Sequence, residues 1–282
     1  SKDAMPPRSD LSFSQQVANQ NLVYVTSQAS ISLTSQDDLA VLGDGQGFGV
    51  MSQSLAVDGV SRLAIVNPNP HQGEVLVSSF GFTADVDGTH IVTFFAQDTV
   101  GNHEILRVAT VAVDNTAPLT LLAVDGPSGF NAQNHLVVST RTLLSLSAQD
   151  LLASGTASGL KETLYRLQGD VDFSVFSSSF ALPSPQGAKT LEFYSRDNLG
   201  NTEVIKSSAV ILDAAVPQIT FVSPNPGAVF IASTDVLPIG FNVSDNEDSS
   251  PVFDAHLVQI EDRGSPRGVC SASIAVSSGQ VI

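Results

Sequence analysis

Carboxylates and side-chain amides recur in this sequence at fixed spacing. Asp98, Gly101, Asn102 and Glu104 return 99 positions later as Asp197, Gly200, Asn201 and Glu203, and Asp114 with Pro118 returns as Asp213 with Pro217. Aspartate and asparagine oxygens are the ligands of a hard cation such as calcium, which takes about six to eight of them. The same residue types also cap tight turns with no metal, because a short polar side chain accepts from nearby backbone N–H groups. One turn holds too few oxygens for an ion. A calcium site therefore requires a fold that gathers carboxylates from several loops.

Other chemistries find little support. The five histidines (His71, His90, His103, His135, His256) contain no His-x-x-x-His pair, so no zinc-protease helix is written. "GDGQGFG" at Gly43 to Gly49 lacks the Lys-Ser/Thr of a phosphate loop and reads as plain loop, while "DVDGT" at Asp85 to Thr89 stops short of a calcium-loop pattern and reads as a turn. Zero Trp and three Tyr leave a sugar-stacking platform poorly supplied. The single cysteine, Cys270, cannot form an intramolecular disulfide and reads as a small strand or loop residue. No catalytic residue is expected, and calcium is the one cofactor that the residues allow.

Charge and hydropathy narrow the partners. Twenty-eight acidic residues against 12 basic ones give a net charge of −16, which repels phosphate backbones, so nucleic acid is not an expected partner. No apolar stretch approaches the roughly 18 residues of a membrane span. The first ten residues, "SKDAMPPRSD", hold no apolar signal core.

The elements that would position the acidic residues are strands. In "LEFYSRD", Leu191, Phe193 and Ser195 alternate with Glu192, Tyr194 and Arg196, and in the first copy Val92, Phe94 and Ala96 alternate with Thr93, Phe95 and Gln97. Period two with one polar face is a half-buried strand. Asp-x-x-Gly-Asn then reads as a hairpin turn, with Gly free to take positive φ. The return strand follows, and Arg107 and Lys206 interrupt its inward pattern at an expected bulge. Pro118 and Pro217 end it.

Gln20 to Asp38 aligns with Gln133 to Leu151 at an offset of 113, against 99 at the Gly-Asn turn, so the first copy carries 14 extra residues near "VLGDGQGFGVMSQ". Residues 1–19 then form an N-terminal extension, 20–117 a first module, 118–216 a second, and 217–282 a partial or divergent third. About seven short strands in about 100 residues describe an immunoglobulin-like β-sandwich. The expected fold is all-β, with tandem sandwiches arranged as an elongated rod. Unit three repeats only the opening strands of unit two, with Asp245 answering Asp150, so the chain reads as a fragment of a longer array; strand donation by a neighbouring subunit is the other reading.

In such a sandwich, the turn after the second strand, the turn between the last two strands and the incoming linker meet at one pole. For the second module these carry Asp150, then Asp197 with Asn201, then Asp114 with Asn115. They are the expected calcium ligands of the joint between modules 1 and 2. Asp37 or Asp38, Asp98 and Asn102 are a partial set in the first module, and Asp213 with Asp245 in the third.

Tyr165-x-Leu167, the run "GAKTLEFYSRDNLGN" from Gly187 to Asn201, and Asp213-x-x-x-Pro217 resemble the bacterial Ig-like repeats found in tandem on secreted and cell-surface proteins. Hyalin-type repeats share the Asp-x-x-Gly-Asn and terminal Asp signals. Unit two matches along nearly its full length, unit one in its second half and unit three at its start. The resemblance implies a non-enzymatic extracellular structural or adhesive protein, a stalk or surface adhesin segment. Its partners would be other modules or subunits of the same protein and a cell-surface or matrix ligand that no residue names. The same modules also serve in self-assembling filaments or sheaths that use strand complementation, and in accessory regions of larger secreted enzymes.

Overall fold

The computed structural model describes residues 3–37, 47–82, 86–131, 133–152, 155–223, 240–244, 276–277 and 280–281, and every regular element among them is a β-strand. The first sandwich contains β1 (Arg8–Phe13), β2 (Val17–Asn19), β3 (Leu22–Val25), β4 (Ser30–Gln36), β5 (Val50–Val57), β6 (Val60–Val66), β7 (Val75–Gly81), β8 (Gly88–Asp98) and β9 (Arg107–Val113). Its smaller sheet has the order β1-β4-β7, and its larger one β2-β3-β9-β8-β5-β6 with β3 parallel to β9. Alternation decides which side chains meet between the sheets. Ile31 and Leu33 of β4 face Leu55, Val57, Val92, Phe94, Val111 and Val113 of the larger sheet, all buried, and Phe82 closes the end. Each such side chain contributes about 1.5–3 kcal/mol by leaving water.

Residues 8–19 belong to this sandwich and are not a separate extension. Arg8 through Phe13 pair with Gln36 through Ile31, and Val17 to Asn19 pair with Tyr24 to Leu22, so the boundary expected at residue 20 falls inside a hairpin. The sequence carries no clear strand signal for β1 because its first inward residue is Ser9, a fully buried hydroxyl, which hides the apolar period completed by the part-buried Leu11 and Phe13.

The second sandwich contains β10 (Leu119–Asp125), β11 (Ser128–Phe130), β12 (Leu136–Ser139), β13 (Leu143–Gln149), β14 (Leu151–Leu152), β15 (Gly155–Thr156), β16 (Leu160–Leu167), β17 (Ser174–Val175), β18 (Gly187–Asp197) and β19 (Lys206–Asp213). β10 pairs with β13, and the larger sheet runs β11-β12-β19-β18-β16-β17, with β12 parallel to β19 as β3 is to β9. Leu144 and Leu146 meet Leu191, Phe193, Val210 and Leu212 in its core. The chain is thus an all-β tandem of immunoglobulin-like sandwiches. Beyond them, β20 (Gln218–Ser223), β21 (Gly240–Ser244), β22 (Val276–Ser277) and β23 (Gln280–Val281) form one sheet. Asp38, Asp245, His256, Cys270 and residues 43–46 lie outside the described residues.

The bulge expected at Arg107 and Lys206 is absent; β8 with β9 and β18 with β19 pair in unbroken register. What interrupts the pattern is the stretch just before each return strand, where a glutamate turns into the sandwich. Glu104 Oε1 accepts from the Ser9 N–H at 3.0 Å, and Glu203 Oε1 accepts from the Thr120 N–H at 3.0 Å. Arg107 donates to the Ser9 carbonyl and Lys206 Nζ to the Thr120 carbonyl, the latter at 2.6 Å. Each first strand is therefore clasped through both of its backbone groups at one residue, which fixes it against the Gly-Asn hairpin.

Candidate metal centre

Each Gly-Asn turn is built around its aspartate. Asp197 Oδ1 accepts from the N–H groups of Gly200 at 2.7 Å and Asn201 at 2.8 Å, and Asp98 Oδ1 accepts from Val100 at 2.9 Å and Asn102 at 2.8 Å. Gly101 and Gly200 take φ of 97° and 95°, values that favour glycine. Backbone capping thus occupies Oδ1 of each carboxylate, and Oδ2 of Asp98 accepts from Asn102 Nδ2 at 2.6 Å. Asn201 uses its amide as a clamp: Nδ2 donates to Asp197 Oδ2 at 2.7 Å and to the Asp114 carbonyl at 2.9 Å.

The second module gathers three of the expected residues. Oxygens of Asp114, Asp150 and Asp197 all lie within 4.8 Å of one another. Asp114 arrives on the joint between β9 and β10, Asp150 follows β13, and Asp197 ends β18. Asp114 Oδ2 accepts from the Ser158 N–H and Asp150 Oδ2 from the Gly159 N–H, both at 2.8 Å, so the loop before β16 pins the pair. Asp150 Oδ1 is buried without a partner. Burial raises the Asp150 carboxyl to about 6, and the charges of Asp114 and Asp197 add to the rise against the Gly159 N–H. Asp114 is raised as well, chiefly by burial and with the Asp197 charge contributing. Crowded, desolvated carboxylates hold a proton or a cation.

Asn115 stands apart from this cluster. Its Oδ1 accepts from the Ser27 N–H at 2.9 Å, and its N–H and Nδ2 donate to Asp87 Oδ1 at 2.8 and 3.0 Å, so its side chain is bound to the first sandwich. Asp87, read only as part of a turn, is an anchor of the joint. Asn19 also crosses the joint, donating from Nδ2 to the Ala157 carbonyl at 3.0 Å.

The first module repeats the arrangement with a member that sequence reading missed. Oxygens of Asp3, Asp37 and Asp98 lie within 4.8 Å of one another, and the residues are 2%, 1% and 1% exposed. Asp37 Oδ2 accepts from Phe48 N–H at 2.8 Å and Gly49 N–H at 2.9 Å, while Asp37 Oδ1 and Asp3 Oδ2 have no partner. Burial raises the Asp37 carboxyl, with Asp3 and Asp98 adding. A signal for Asp3 was present: Asp3 and Pro7 carry the Asp-x-x-x-Pro spacing of Asp114 and Pro118. Both clusters offer oxygen alone, the donor set of calcium or magnesium and not of zinc or copper.

No family model and no curated protein matches this sequence. Among solved structures, the chain is similar to fibronectin(III)-like modules of Clostridium thermocellum CbhA, at 10% identity and a TM-score of 0.34 over 73% of this chain and 95% of that one. The chicken CNTN1 FN1–FN3 domains align at 13% identity and a TM-score of 0.30 over 67% and 64%. Dimeric latent PorU from Porphyromonas gingivalis aligns at 15% and 0.26, over 89% of this chain and 27% of that one.

Proposed function

We propose that this chain is a non-enzymatic extracellular structural or adhesive protein, a stalk or surface segment, in which calcium stiffens the joint between the first two sandwiches. The observation that carries the reading is the position of Asp114. It lies in the joint itself, yet its carboxylate is within 4.8 Å of Asp150 and Asp197 from two loops of the following module. An ion there would take Asp114, the unpartnered Asp150 Oδ1 and Asp197 as ligands and neutralise three crowded carboxylates. No helix among the described residues is long and apolar enough to cross a membrane.

Residues 8–19 pair within their own module and so offer no free strand to a neighbouring subunit. Thermal melting and small-angle scattering with calcium and with chelator test the proposal. Calcium is expected to raise the melting temperature and restrict module orientation, and Asp150→Ala with Asp197→Ala abolishes both effects. Identical melts and scattering in calcium and chelator overturn it.

A further inference from the structure

We infer that Asp3, Asp37 and Asp98 form a second divalent-cation site, at which the segment 3–7 is fastened to the first sandwich. The ligand chemistry is that of the joint, but the residues and the observation that points to a ligand are separate. Asp37 Oδ1 and Asp3 Oδ2 are buried acceptors with no donor, on residues 1% and 2% exposed. Leaving a carboxylate oxygen out of water without a partner is unfavourable, and setting two side by side next to Asp98 is more so.

Among the described residues no ion pair reaches any of the three, and Arg107 pairs with Asp10 and Glu104. A divalent ion supplies the missing charge and joins both bare oxygens in one step. The site favours calcium over magnesium, because buried carboxylates replace the waters that magnesium retains.

The segment has few other ties. Asp3 Oδ1 accepts from its own Met5 N–H at 3.1 Å, and Asn102 Nδ2 reaches the Asp3 and Met5 carbonyls only at 3.4 Å each. The ion would be the tie at Asp3 itself, and without it mutual repulsion releases Asp3 first, since Asp37 remains held by the Phe48 and Gly49 N–H groups and Asp98 by those of its own turn.

Calcium chloride titrated calorimetrically into the chelator-treated full chain, with hydrogen exchange at Ala4 and Met5, tests the site. Asp37→Asn is expected to lower the stoichiometry by one ion per chain and to speed exchange at Ala4 and Met5 in calcium to the rate seen in chelator. In chelator it melts no lower than the parent, because removing one of three crowded charges offsets any weakening of its turn bonds. Unchanged stoichiometry, or a lower melt with the calcium shift intact, makes Asp37 a turn cap and overturns the inference. If Asp37→Asn does not fold, Asp3→Asn, which alters only the docked segment, must lose the same single ion. Asp150→Asn is the independent arm: it removes one ion without affecting Ala4 and Met5, and its failure to do so counts against the joint proposal alone.

Discussion

Asp114 and Asn115, adjacent in the chain, face opposite modules: Asp114 Oδ2 accepts from Ser158 N–H of the second sandwich at 2.8 Å, and Asn115 Oδ1 accepts from Ser27 N–H of the first at 2.9 Å. Successive side chains of an extended segment point to opposite sides. A two-residue stretch is thereby tied to both of its neighbours, without a long linker.

This division separates ion binding from joint geometry. Asn115→Ala removes the side-chain bonds to Ser27 and Asp87, keeps the backbone N–H bond to Asp87, and touches none of the clustered carboxylates. Calcium stoichiometry should stay unchanged, while residual dipolar couplings between the two sandwiches should shrink as their orientations spread. Loss of an ion in this variant would place Asn115 among the ligands.

The raised Asp150 carboxyl sets a pH dependence in chelator. Its folded value of about 6 exceeds the ordinary 3.8, so the folded state holds the proton more tightly than the unfolded chain. The stabilisation is full below about pH 4 and is lost as pH rises through about 6. The melting temperature in chelator should fall across that window by more in the parent than in Asp150→Asn. The calcium-induced rise should grow over the same window, because the ion requires the ionised carboxylate.

The glutamate clasp is expected to add to the ladder that attaches each first strand. Burial alone would raise the Glu203 carboxyl, but the bonds from Lys206 and Thr120 outweigh it and hold the group below its ordinary value. The stabilisation is present above the ordinary carboxylate range and is lost as pH falls through the folded value. Glu203→Ala leaves the Thr120 N–H without its acceptor and Lys206 without its ion pair, and should cost about 1–3 kcal/mol in urea denaturation at neutral pH. Glu104→Ala should act likewise on the first sandwich.

Gly49 links backbone conformation to the first acidic cluster. At φ +93° a Cβ would sit 2.6 Å from the His71 backbone nitrogen and oxygen, and the Gly49 N–H is bonded to Asp37. Gly49→Ala should destabilise by about 2 kcal/mol or more and weaken calcium binding at that cluster. Gly59→Ala, at φ +77° but in open space, is the comparison and should cost about 1 kcal/mol with no effect on calcium.

Much of the sandwich was legible because its signals are local. The alternation of Leu191, Phe193 and Ser195 foretold the buried face of β18, and Asp-x-x-Gly-Asn foretold the turn that Asp197 caps. The repeat alignment of Val23 with Leu136 was equally sound: Val23 pairs with Val111 and Leu136 with Val210, in the same parallel position. Signals that depend on a distant partner were misread. β1 looked like part of an extension because its inward Ser9 pairs with Ser35, a hydroxyl contact that hydropathy does not register. Arg107 looked like a bulge because the residue it serves, Ser9, lies 98 positions earlier.

The sequence by itself determined the module: strand period, turn chemistry and the 99-residue return of the same aspartates follow from local steric and hydrogen-bonding preferences. Which aspartates meet was decided only by the tertiary structure. Asp114 joins Asp150 and Asp197, Asp3 joins Asp37 and Asp98, and Asn115 turns away, because convergence of three loops depends on how two sheets pack and where the incoming segment crosses their end. Spacing along a chain carries no record of that crossing.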